Sequence, residues 1–306
     1  MNTVCKCFTA SGYFELRECL RFVLVRDRYQ PDSSLDITMP AQEYFDSIPL
    51  RVQFTLDGRL LHDGIVREAQ YTQENNRRVL RIRARSFTSV LTQNQLVPGL
   101  YFNVTLASLM TTYQLPHITY QEGESTVRYV YVKENAGMWD TLTAFSYKLC
   151  GCYPYVRVPN LLCVSPQTGT AAITLPADSL LMRGTGTYAG DMLSRIDMAD
   201  LDGSYGIYTA SNPEAQRRGI TRVRQILMDK QFLYDPNDGL RWRIQCSNRR
   251  MRSTVLRYIG YCGEDCEDLV TCSDLTARVS RITVSCENGK LTTEDVFYYD
   301  DFCNAE

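Results

Sequence analysis

Apolar and polar residues alternate with a period of two over much of the first ninety-odd residues. In Arg51–Asp57 (RVQFTLD), Val52, Phe54 and Leu56 share one face, and Asp57-Gly58 follows as a hairpin turn. The next alternating run sets Ile65, Arg67, Ala69 and Tyr71 against Val66, Glu68 and Gln70. After the polar turn Glu74-Asn75-Asn76, Leu80, Ile82 and Ala84 face one way and Arg81, Arg83 and Arg85 the other. With the apolar run Arg21–Asp27, this predicts a sheet with one buried face. Several short strands in series must close or curl, or their edges would pair with other chains, so a small barrel is expected.

Beyond Gln95–Gly99 the period becomes helical. Thr105–Tyr113 spaces Leu106, Leu109, Met110 and Tyr113 as a helix would, and Gly137–Leu149 puts Trp139, Leu142, Phe145 and Leu149 on one face. That helix is expected to end at Cys150-Gly151-Cys152, with glycine as its cap. Val127–Lys133 reads as a strand, and Tyr153–Val158 with Leu161–Ser165 as a hairpin. Arg183–Gly190 (RGTGTYAG) is a glycine-rich passage, and its Gly184-Thr185-Gly186 run reads as a flexible connection. Asn212–Met228 opens as a helix with Asn as cap and Pro at its first position, interrupted by Gly219. Asn237–Ser253 suits a helix capped by Asp238 or a strand through Trp242, Ile244 and Cys246; the helix is preferred. Thr254–Cys262, Arg278–Cys286 and Asp295–Tyr299 are predicted strands, with a turn at Glu287-Asn288-Gly289. The expected fold class is mainly β with α+β: two small tube-like β-barrel domains, 1–95 and 186–306 (the second with helical segments), and an intervening small α/β domain, 96–185.

Charge changes this picture little overall and sharply in one place. A net charge of −2 argues against a dedicated nucleic-acid binder. Arg217–Arg257, however, holds eleven Lys or Arg against three acids, and Tyr258–Glu306 three against eleven. Neighbouring blocks of opposite sign predict pairing within the domain or across a subunit contact. Arginines number 28 against five lysines, and there are 20 tyrosines; both residue types favour contact surfaces, although a genome rich in G and C would also raise arginine. No run of 18 apolar residues is present, and the first residues lack the plan of a signal peptide, so cytoplasmic synthesis is expected.

Candidate chemistry is sparse. Twelve cysteines occur without a C-x-x-C, and the histidines are His62 and His117. The cysteines read as buried thiols; Cys262, Cys266 and Cys272 have the only spacing that approaches a metal site. His62 reads as part of a turn with Asp63-Gly64, and His117 as a surface residue. Gly184-Thr185-Gly186 fits neither a dinucleotide fingerprint nor a phosphate loop. Glu264, Asp265, Glu267 and Asp268 surround Cys266, and Asp300-Asp301 lies near the end. Such carboxylates serve glycoside hydrolysis or cation binding when they converge; the expectation is a solvated acidic loop facing the arginine-rich block. Arg81, Arg83 and Arg85 could track phosphates, but pairing with acids such as Glu68 on the facing strand is preferred. No catalytic, cofactor-binding or metal residue is assigned.

The order of these pieces resembles the baseplate hub family of contractile phage tails and related injection systems. Three passages carry the resemblance: the hairpin entering through Gly64-Ile65-Val66 and closing at Arg83-Ala84-Arg85-Ser86, the helix-to-strand passage Met138–Val156, and Tyr258–Val270, a strand running into an acidic turn. The resemblance implies a structural chain without enzymatic activity or cofactor, found in the tail baseplate of a virion or extracellular contractile particle. It implies a homotrimer forming a pseudo-sixfold collar between a hexameric tail tube and a trimeric central spike. Its partners would be the tail tube or tube-initiator protein, the spike, other baseplate proteins and a tape-measure protein in the channel. The alternatives are a tail-associated cell-wall hydrolase and a distal tail attachment protein of a non-contractile phage.

Overall fold

The structure, a computed structural model, describes residues 1–41, 48–74, 77–167, 172–228 and 230–299. Seven strands fill the first section: β1 (Thr3–Phe8), β2 (Tyr13–Arg17), β3 (Arg21–Asp27), β4 (Ser34–Pro40), β5 (Arg51–Leu56), β6 (Arg59–Glu74) and β7 (Arg77–Ser86). They do not form a sheet of their own. Eleven strands run in the order Leu180–Thr187, Arg252–Ile259, Lys290–Tyr298, Arg281–Glu287, β3, β4, β7, β6, β5, β1, β2. Every neighbouring pair is antiparallel. The two ends of the chain meet where β3 pairs with Arg281–Glu287, from Asp27 opposite Arg281 to Arg21 opposite Glu287. They also share one apolar core, in which Phe22, Leu24, Ile37, Phe54 and Ile82 lie with Leu256, Val284 and Phe297. The mainly β class with an α+β part is as expected. Among the described residues, the outermost strands, β2 and Leu180–Thr187, have no sheet neighbour on their outer side.

Two of the predicted hairpin turns are present for the expected reason; Asn75 and Asn76 of the third lie outside the described residues. Asp57 and Gly58 have φ of 48° and 80°, and Asn288 and Gly289 of 51° and 76°. Positive φ at both central residues is the type I′ geometry that matches strand twist. The alternation along β6 needs correction. A β-bulge lies between Val66 and Glu68, so Arg67 is the extra residue. The register switch puts Val66 on the same core as Ala69 and Tyr71, whereas strict alternation had placed it opposite them. A second irregularity between Phe54 and Thr55 makes Leu61 the extra residue and sends it into the core.

The middle section is an α/β unit, as expected. Helix Met138–Cys150 packs Met138, Leu142 and Phe145 into a core shared with Val104, Val130 and Leu162. Its entry requires glycine: a Cβ at Gly137 would sit 2.8 Å from the Thr92 carbonyl oxygen. Gly151 ends it in the left-handed conformation, φ 71°. Tyr155–Arg157 and Leu161–Cys163 pair as the predicted hairpin.

Three expectations fail nearby. Leu180–Thr187 contains the glycine-rich run expected to be a flexible connection, and it pairs with Arg252–Ile259 along its length. The helix at Asn212 is capped by Asn212 as expected but covers only Pro213–Arg217. Gly219, at φ 71°, turns the chain out of it, and Val223–Ile226 is a strand parallel to Arg195–Met198. The helix preferred for 237–253 is Pro236–Asn248, but Asp235, not Asp238, is its cap, accepting from the Asp238 backbone N–H at 3.1 Å. It packs Leu240 against Ile196 and Met198.

Candidate functional site

The acidic segment after Arg252–Ile259 is where the three sections of the chain are joined. It was expected to be solvated, and it is buried: Glu264, Asp265, Glu267 and Asp268 are each at most 8% exposed. Its partners come from outside the arginine-rich block. Asp265 pairs with Arg26, at the end of β3, at 2.6 Å; Glu267 with Arg28 at 2.8 Å; and Asp268 with Arg157, on the strand Tyr155–Arg157, at 2.7 Å. Asp265 also accepts from the Val158 and Cys266 backbone N–H groups, and Asp268 from the Asp265 N–H. Two of the guanidinium groups also reach carbonyls: Arg26 Nη2 donates to that of Leu61, and Arg157 Nη1 to that of Cys266 as well as to Asp268. Buried charges persist only when paired and hydrogen-bonded in this way. One loop thus ties the first, middle and last sections together.

Glu264 points elsewhere. It accepts from the Tyr258 hydroxyl and the Cys262 N–H. Burial raises its pKa. Asp295, in strand Lys290–Tyr298, is fully buried, and neither carboxylate oxygen has a hydrogen-bond partner. Burial, reinforced by Glu264 and Glu294, pushes its pKa well up, toward the neutral acid.

His62 lies inside β6, not in a turn, because β6 runs unbroken from Arg59 to Glu74. It is fully buried, with Nδ1 2.9 Å from the Ser33 hydroxyl. Burial and the neighbouring Arg26 drive its pKa down to about 3. His117 is exposed, as expected; its ring lies 4.4 Å from that of Phe87, with Nε2 3.3 Å from Arg51. Cys262, Cys266 and Cys272 do not converge. Cys266 packs with Tyr155 and Cys163, Cys272 lies in the main core, and Cys262 borders Tyr258. Among the described residues, no group of three or more His, Cys, Asp or Glu is placed to hold a metal ion. Asp300 and Asp301 lie outside the described residues.

The Arg81, Arg83, Arg85 row is placed as preferred from the sequence. Arg81 pairs with Asp36 at 2.6 Å, Arg83 with Glu68 at 2.8 Å and with Asp36 at 3.5 Å, and Arg85 with Asp32 at 3.0 Å. Leu80, Ile82 and Ala84 are buried behind them. Of the arginine-rich block, Arg257 pairs with Glu294, Arg252 with Glu214 and Arg250 with Asp27.

A groove of about 570 Å³, absent from the sequence reading, opens beside helices Met138–Cys150 and Pro236–Asn248. Tyr29, Trp139, Tyr153, Trp242, Arg243 and Arg249 line it. Arg249 lies 4.8 Å from the Tyr29 ring centre, and the Tyr29 and Tyr153 rings meet edge-on at 5.0 Å. The groove is built by stacking of aromatic and guanidinium groups, without a histidine among its lining residues.

No protein-family model and no curated protein matches the chain. Solved structures do. A tail protein from Neisseria meningitidis MC58 superposes with a TM-score of 0.72 at 11% identity, over 98% of this chain and 98% of that one. The 43 kDa tail protein of prophage MuSo2 from Shewanella oneidensis gives 0.73 at 12% identity, over 99% of each. An E. coli component of the type VI secretion system, described as similar to the T4 tail proteins gp27 and gp5, gives 0.56 at 9% identity, over 94% of this chain and 75% of that one. The fold is therefore that of phage tail proteins over nearly the whole length, as the resemblance implied. Among the described residues, no helix is long and apolar enough to cross a membrane.

Proposed function

We propose that the chain is a structural baseplate hub of a contractile tail or injection particle, a homotrimer whose pseudo-sixfold collar joins a hexameric tail tube to a trimeric spike. In this reading residues 1–95 and 186–306 are the two tube modules of each subunit and residues 96–185 the lateral unit. The reading rests on one observation above the others: the two ends of the chain form a single eleven-stranded sheet whose fold follows those tail proteins from end to end. A subunit that transmits load between a tube and a spike must resist separation of its modules. The buried ion pairs of residues 265–268 hold all three sections to one another. Burial of the acids nominated for hydrolysis also weighs toward a structural role, since a substrate must reach a catalytic carboxyl group.

The tail tube, the spike and a tape-measure protein in the channel are the proposed partners, and the particle baseplate the proposed location. The test is the mass of the purified chain by light scattering in reducing buffer, with negative-stain top views of the same sample. A three-chain ring with two lobes per chain around a channel is expected. A monomer that degrades cell wall, with activity lost in Glu264→Gln, would replace this reading with that of a tail-borne hydrolase.

A further inference from the structure

At the end of helix Met138–Cys150 the chain reads Cys150-Gly151-Cys152. Gly151, in the left-handed conformation, folds Cys152 back beneath the helix end. The two sulfurs come within 3.0 Å of each other. Cys150 is exposed, whereas Cys152 is 3% exposed. The Ser146 hydroxyl, 3.5 Å from Cys152 Sγ, and the Val164 carbonyl, 3.3 Å from Cys150 Sγ and 3.6 Å from Cys152 Sγ, hold the pair from below. A disulfide needs the sulfurs at about 2 Å, so the pair lies about 1 Å from bonding distance.

We infer that Cys150 and Cys152 are a dithiol exchange site, which a low-molecular-weight disulfide converts to an internal Cys150–Cys152 disulfide. Cys150 is the attacking thiol: it faces solvent, and the hydrogen bond from Cys152 brings its pKa down to about 7. Its thiolate attacks one sulfur of the small disulfide, forming a mixed disulfide and releasing one thiol. Cys152 then gives up its proton and attacks Cys150 Sγ, and the second thiol leaves carrying that proton. Two protein thiols and one disulfide become one protein disulfide and two small thiols. The buried partner is the resolving group, and its contact with Cys150 favours closure over retention of the mixed disulfide.

Cys5 and Cys7 serve as an internal control. They have the same C-x-C spacing and a sulfur separation of 3.7 Å, but both are fully buried in the main core, where no small disulfide reaches them.

The test treats the native chain with oxidised glutathione, blocks free thiols and maps tryptic fragments. Cys150 and Cys152 fall in one fragment, 149–157. That fragment should lose about 2 Da, the two thiol hydrogens, and regain them with a reductant, while Cys5 and Cys7 stay reduced. Cys152→Ser should retain one glutathione on Cys150, and Cys150→Ser should leave Cys152 unmodified, with far-ultraviolet circular dichroism confirming that both variants fold. A fragment 149–157 that stays reduced, or a native chain that keeps glutathione on Cys150, would overturn the inference. The result does not depend on the ring's existence.

Discussion

Two sets of three arginines do opposite jobs with the same chemistry. Arg81, Arg83 and Arg85 stand on the outer face of β7 and pair with Asp36, Glu68 and Asp32; Arg83 and Glu68 are about half exposed, and so is Arg85, although its partner Asp32 is 9% exposed. Arg26, Arg28 and Arg157 pair with Asp265, Glu267 and Asp268 out of water; the Arg28 and Glu267 side chains are 2% and 1% exposed. The Arg81 and Arg83 pairs gain little, because solvent screens them and long side chains must be ordered. The inner set cannot lose a member without stranding a charge. Fold integrity therefore depends on the inner arginines.

The contrast can be broken at its strongest point. Arg28→Met should cost about 3–5 kcal/mol in urea unfolding, because Glu267 is left charged and dry, whereas Arg28→Met with Glu267→Met should recover most of that loss. Additive losses would show that the pair is not the source.

Protons probe the same dry interior. His62 is neutral when folded, with a pKa near 3 against about 6.5 in the unfolded chain. The unfolded state therefore binds its proton first as pH falls. Stability should be fully present above about pH 6.5 and fall by about 2 kcal/mol between pH 7 and pH 5. His62→Gln should flatten that part of the curve; an unchanged slope would assign it to other groups.

The outer row should behave oppositely. Arg83→Ala should change unfolding by no more than about 1 kcal/mol, and Arg83→Glu should weaken ring assembly more than it alters the fold. Normal assembly of Arg83→Glu would remove the outer row from the subunit contact. Smallest of all, raising salt to about 1 M shortens screening to about 3 Å. It should erase the difference in stability between the native chain and Arg83→Ala while leaving the cost of Arg28→Met unchanged.

The outer row was readable in the sequence because it needs only the two-residue period of one strand and acids on adjacent strands. The turns at Asp57-Gly58 and Asn288-Gly289 were readable because positive φ selects those residues. The inner set was not. Four acids in five residues read locally as a solvated loop, and nothing local reveals arginines 111 and 239 positions away. The bulges at Leu61 and Arg67 also escaped, since an extra residue leaves composition unchanged while reversing which side chains face the core. The glycines of Leu180–Thr187 suggested looseness, but their neighbour in the sheet decides their conformation. The Cys150-Gly151-Cys152 pair was visible as letters; its chemistry required the helix cap that brings the sulfurs together.

The pairing of β3 with Arg281–Glu287 sets a timetable for biosynthesis. β3 leaves the ribosome early, acquires β4 at once, and then keeps its other edge open while some 250 residues are translated. Arg26 and Arg28 wait as long for their carboxylates. Contacts this distant in sequence form slowly, and an unpaired strand edge recruits whatever strand is near. Nascent chains crowded on one message are therefore one another's main hazard, and a chaperone that shields β3 until the last strands emerge would raise the yield of soluble subunit.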